Sequence, residues 1–127
     1  MVIMLSVHDY EIIEYKMNFR TKMLTIDANL DDNFRRIKFI EVLAYKFSDE
    51  IPYSTILDID RIDIQHFFEN NKELLNSKKN SGWPIIYQTI EELKIKITEE
   101  GVNYYVLFSS YGLTGWILAK DLAIENI

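Results

Sequence analysis

Two neighbouring stretches of strict alternation constrain this chain more than anything else in it. In Glu11–Phe19, Ile13, Tyr15, Met17 and Phe19 fall on one face, and Ile12, Glu14, Lys16 and Asn18 on the other. In Thr21–Leu30, Leu24, Ile26, Ala28 and Leu30 alternate with Thr25, Asp27 and Asn29. Strand side chains point to opposite faces with period two, so a one-sided pattern of this kind describes a half-buried strand. Only Arg20 separates the two runs, which predicts a hairpin even without an Asn-Gly or Asp-Gly turn. An isolated hairpin is marginal in water, so further strands or a helix must cover its apolar face.

The rest of the chain supplies them. Asp31-Asp32-Asn33 reads as a loop, and Arg35–Phe47 as a long third strand. The apolar parity of that strand changes from Ile37 and Phe39 to Ile40, Val42 and Ala44, then returns at Leu43, Tyr45 and Phe47. This predicts a bulge near Glu41 or burial on both faces. Tyr53–Ile62 reads as a fourth strand, with Asp58 and Asp60 on one of its faces. Asp63 can then cap an amphipathic helix carrying Ile64, Phe67, Phe68, Leu74 and Leu75, which Gly82 and Pro84 terminate. Ile85–Ile90 is compatible with either element, because Thr89 and Glu92 have capping-box spacing. Glu92–Glu99 alternates Leu93, Ile95 and Ile97 with Glu92, Lys94 and Lys96, and is predicted as a strand. Tyr104–Phe108 and Trp116–Ile124 are two more strands, with Ser109–Gly115 as a turn between them. The expected fold is α+β: a mainly antiparallel β-sheet with one principal amphipathic helix packed on one face, forming a single domain over residues 1–127.

Composition narrows the function classes. With 48% hydrophobic residues in 127, the chain can build its own core. It has no cysteine, which excludes disulfides, thiolate metal sites and thiol nucleophiles. Its net charge of -6, from 20 acidic and 14 basic residues, argues against nucleic acid and favours a basic protein partner. Met1–Leu5 is apolar but too short for a signal h-region, and is expected to form an edge strand or a helical turn. No apolar run approaches the length of a membrane span, so a cytoplasmic protein with no membrane association is expected.

Few residues spell chemistry. His8-Asp9 suggests a metal pair or a base, yet neighbours on a strand point to opposite faces, and bonding to turn backbone is the expected role. His66 and Glu69 have the i, i+3 spacing of a carboxylate-bridged metal site but lack ligands from other helices. Asp58 and Asp60 lack the glycine bend and downstream glutamate of a calcium loop, and suit a solvated or partner-facing strand edge. The serines lack a nucleophile-elbow context, and four glycines make no phosphate loop. In Tyr111-Gly112-Leu113-Thr114-Gly115-Trp116, the glycines permit positive φ on each side of Leu113. Tyr111 and Trp116 there can either flank a groove or, for Trp116, fill the core. The expectation is therefore no catalytic residue, no metal and no cofactor, with Asp58, Asp60, Tyr111 and Trp116 as partner-binding candidates.

With these residues in view, the N-terminal third resembles a group of small bacterial immunity-type proteins, often encoded beside contact-dependent or polymorphic toxins. The resemblance rests on His8, Asp9 and Ile12, the strands Ile13–Phe19 and Leu24–Leu30, and Ile37-Lys38-Phe39-Ile40-Glu41-Val42. The family pattern often has Gly before that Val, where this chain has Glu41. The resemblance implies neutralisation of a basic toxin domain by tight binding, without chemistry. The alternatives are a structural or self-assembling module, and a metal-dependent enzyme using His8, Asp9, Asp58 or Asp60.

Overall fold

The fold was analysed in a computed structural model that describes residues 5–127. The element expected at Met1–Leu5 lies outside them, except for Leu5, which belongs to no strand or helix. The chain runs β1 (Glu11–Asn18), β2 (Met23–Leu30), β3 (Asn33–Ser48), β4 (Thr55–Ile62), α1 (Ile64–Asn70), α2 (Lys72–Lys78), α3 (Ile90–Glu99), β5 (Asn103–Tyr111) and β6 (Thr114–Asn126). A short 3-10 turn at Lys79–Ser81 follows α2. Every strand pairing is antiparallel, and the α+β class is as expected. The sheet closes into a barrel in the order β1-β2-β3-β6-β5-β4, an arrangement that the alternation patterns do not specify.

Closure turns one sheet face into an interior. Leu24, Ile26 and Ala28 of β2, Ile37 and Phe39 of β3, and Ile117 of β6 lie fully buried inside. The outer faces of β3, β5 and β6 present Ala44, Tyr104, Trp116 and Leu118 to the helices, which cover them with Phe67, Leu75, Leu93 and Ile97. Adjacent residues thus serve different cores: Tyr104 faces the helices and Tyr105 the interior, as do Trp116 and Ile117. Both readings of the parity change in β3 hold. Glu41 takes a left-handed φ of 55°, the register shifts between Val42 and Ala44, and the strand is buried on both faces.

Three expectations need correction. In β1 a register shift between Ile12 and Glu14 turns Ile12 and Tyr15 to the core and leaves Ile13 55% exposed, and Phe19 lies exposed in the turn. The single helix is two, broken at Asn71, whose side-chain amide donates to the Phe67 carbonyl at 2.9 Å while its own carbonyl accepts from Leu75 N. An asparagine that satisfies the helix backbone with its side chain ends the helix there. Glu92–Glu99 is helix, not strand. Thr89 accepts from Glu92 N at 3.1 Å and Glu92 accepts from Gln88 N at 3.1 Å, a near capping box that outweighs the alternation. Leu93 and Ile97, four apart, are buried, whereas Ile95 between them is 57% exposed. Among the described residues the sheet therefore carries three short helices rather than one principal helix.

Candidate functional site

The barrel closes where β1 meets β4, and this seam is narrow. Its ladder is the pair Glu11–Thr55, reinforced by Asp9 N to Ile56 O, Ile56 N to Tyr10 O and Ile12 N to Ser54 O at 2.8–2.9 Å. Each strand at the seam is irregular. β1 bulges at Ile13, and β4 shifts register between Ile56 and Asp58, so Leu57 has no partner of its own. A bulge re-aims side chains, and here it puts both Leu57 and Asp58 on the outside.

Beyond the bulge the register places Asp58 opposite Phe108 and Asp60 opposite Val106. Asp58 and Asp60 are both exposed on the outer face. Partial desolvation pushes the Asp60 carboxyl above its usual range, and the neighbouring Asp58 adds repulsion and a hydrogen bond in the same direction. Asp58 Oδ1 also accepts from Ile59 N at 2.9 Å. The paired carboxylates expected from the sequence are thus brought together.

Tyr111 ends β5 opposite Thr55 and is 56% exposed. Trp116 is elsewhere. It is 8% exposed and packs in the helix-covered core against Phe67 at 5.1 Å and Trp83 at 6.1 Å between ring centroids. Tyr111 and Trp116 therefore flank no common groove. The turn between them is also shorter than expected, since β5 runs on to Tyr111 and β6 begins at Thr114. Gly112 has the positive φ anticipated, at 82°. Gly115 serves another purpose: a Cβ there would collide with the Lys46 carbonyl of β3.

His8 and Asp9 sit in a turn, not on a strand, and this overturns the argument that they diverge. Asp9 takes φ 66°, which brings His8 Nε2 to 3.4 Å from Asp9 Oδ2. His8 Nδ1 lies 2.7 Å from the Leu57 carbonyl. A carbonyl only accepts, so Nδ1 donates and pins the bulge. His66 and Glu69 are exposed and 3.4 Å apart on α1. Among the described residues, no three His, Asp or Glu side chains converge as a metal site.

The sequence reading missed the apolar part of this face. Leu57 and Phe108 are exposed beside the two aspartates, and so are Ile13 of β1 and Ile51 and Tyr53 of the β3–β4 loop. Tyr53 is 75% exposed on a left-handed backbone with φ 67°, an uncommon conformation for an aromatic residue. A cleft of about 390 Å³ runs between β1 and the β3–β4 loop, lined by Ile13, Tyr15, Glu50, Ile51 and Ser54. In it Tyr15 donates to Glu50 at 2.5 Å, and this bond, with burial, pushes the phenol up to about 12. The bulges that expose Ile13 and Leu57 leave only a parity slip in the sequence.

Among the described residues no helix is long and apolar enough to cross a membrane. The chain matches no family model, no curated protein and no solved structure.

Proposed function

We propose that this chain is a non-catalytic protein-binding module of immunity type, which masks a basic toxin domain. One observation carries the reading: Asp58 and Asp60 stand together on an exposed face beside the exposed Leu57 and Phe108. An acidic pair steers a basic partner, and adjacent apolar and aromatic side chains supply the area that holds it. Asp9 and Glu11 continue the acidic character across the seam, and the exposed Tyr111 lies at the end of β5 on the other side of β4. The N-terminal resemblance and the charge of -6 support the same reading.

The test is protection. Open reading frames flanking the gene are expressed singly in a test host, and growth is scored with and without this chain. A toxic neighbour rescued by co-expression, with rescue lost in Asp58→Lys/Asp60→Lys, supports the reading. No toxic neighbour, or rescue untouched by that double reversal, counts against it. Exposed Ile13, Leu57 and Tyr53 also suit self-association, and a monomer in light scattering at high concentration would remove that alternative.

A further inference from the structure

The helical layer contains a cleft of about 380 Å³ that none of the seam residues lines. Phe68 of α1, Leu75 of α2 and Ile90 of α3 form its apolar floor, and Phe68 and Leu75 are buried. Lys72 and Lys94 stand on its rim with the carboxamide side chains of Gln65 and Asn76. The break at Asn71 lets α1 and α2 each contribute one turn to the wall.

Its lining is more basic than the chain as a whole. The chain carries -6, yet this rim has two lysines to one carboxylate, Glu69, and that carboxylate lies 3.4 Å from His66 Nδ1. Lys94 itself pairs with the exposed Glu91 at 3.6 Å, so a ligand carboxylate would compete with a solvated partner there. The Lys94 ammonium stands 5.4 Å from the centroid of the Phe68 ring, and so marks the boundary between the charged rim and the apolar floor. The volume is in the range of small-molecule sites, about 300–1,000 Å³.

We propose that this cleft binds a small organic carboxylate with an apolar body. The carboxylate lies between Lys72 and Lys94, within reach of the Gln65 and Asn76 amides, and the body rests on Phe68, Leu75 and Ile90. Two ammonium groups and two carboxamides suit one carboxylate. No arginine lines the cleft, so the guanidinium fork common at phosphate sites is missing from its lining.

The test uses the full chain and three probes of one shape: phenylacetate, 2-phenylethanol and 2-phenylethylammonium. Amide chemical shifts are followed in titrations, with inorganic phosphate as the charged probe lacking a body. Phenylacetate should give saturable shifts centred on α1, α2 and α3, weakened by salt. Lys72→Gln, at an exposed site, should weaken binding about tenfold without changing the melting temperature. Lys94→Gln should do the same, and its melting curve reports separately any loss of packing on Phe68. The absence of saturable shifts would overturn the proposal. So would equal binding of the ammonium probe, equal binding of phosphate, or an unchanged affinity in Lys72→Gln.

Discussion

Asp27 and Arg36 face each other across β2 and β3 and share two hydrogen bonds, Nε to Oδ1 at 2.8 Å and Nη2 to Oδ2 at 3.1 Å. The guanidinium holds the Asp27 carboxyl below the usual carboxylate range, against a smaller opposing effect of burial. A carboxyl whose folded pKa is depressed contributes stability that is present above its unfolded pKa, near 3.9, and is lost as pH falls through the folded value. Asp27→Asn should therefore lower the melting temperature at pH 7. The difference from the parent should shrink in acid and vanish once both forms of Asp27 are protonated. A difference that persists unchanged into strong acid would show that the pair acts through packing alone.

The aromatic cluster under the helices makes a second prediction. Phe67 is fully buried and lies 5.1 Å from Trp116, 5.2 Å from Phe68 and 5.6 Å from Tyr104, ring centre to ring centre. Phe67→Ala removes the ring on which the others converge and should cost about 3–5 kcal/mol, read from urea unfolding. Trp116 emission should shift to the red as water reaches the indole. A loss below about 1 kcal/mol would mean that the layer collapses around the gap.

How far the fold could be read from the sequence depended on whether a pattern was local. Leu24, Ile26 and Ala28 alternate on a regular strand and are buried as read, whereas Leu30, read inward with them, is 36% exposed at the strand's end. In the preceding run Ile13 and Phe19 share the parity of Tyr15 and Met17 and yet are exposed, because the bulge and the turn are set by pairing with β2 and not by β1 itself. Barrel closure was illegible for the same reason: it depends on Glu11 meeting Thr55, far apart in the chain, through a few backbone bonds with no side-chain signature. Asp58 and Asp60 were legible as a pair because residues two apart share a strand face. Leu57 and Phe108 beside them were not, since an exposed apolar residue looks like a core residue until the register is known.

Helix α3 shows a competition between two local signals, and substitution can measure the one that won. Thr89 accepts from Glu92 N, and Glu92 is held below its usual range first by Lys96 and then by Gln88 N. Thr89→Ala deletes the cap and should cost about 1 kcal/mol. Thr89→Ser should retain most of it. Equal stability of both variants with the parent would mean that burial of Leu93 and Ile97 alone holds the helix against the strand-like alternation.

At Gly115 the backbone of β6 runs too close to β3 to admit a side chain. It pairs with Phe47 on one side and Leu107 on the other, and a methyl group there would meet the Lys46 carbonyl and come within 2.9 Å of Phe47 Cα. Backbone cannot move aside as a side chain does, so Gly115→Ala should cost at least as much as ordinary overpacking, about 1–3 kcal/mol. The strands should separate locally, and amide exchange should rise at Phe47 and Leu107. Gly101→Ala is the control, because a Cβ at Gly101 meets nothing within 4 Å and only the left-handed φ of 69° opposes it. If Gly115→Ala costs no more than Gly101→Ala, close approach of the strands is not what requires glycine at this position.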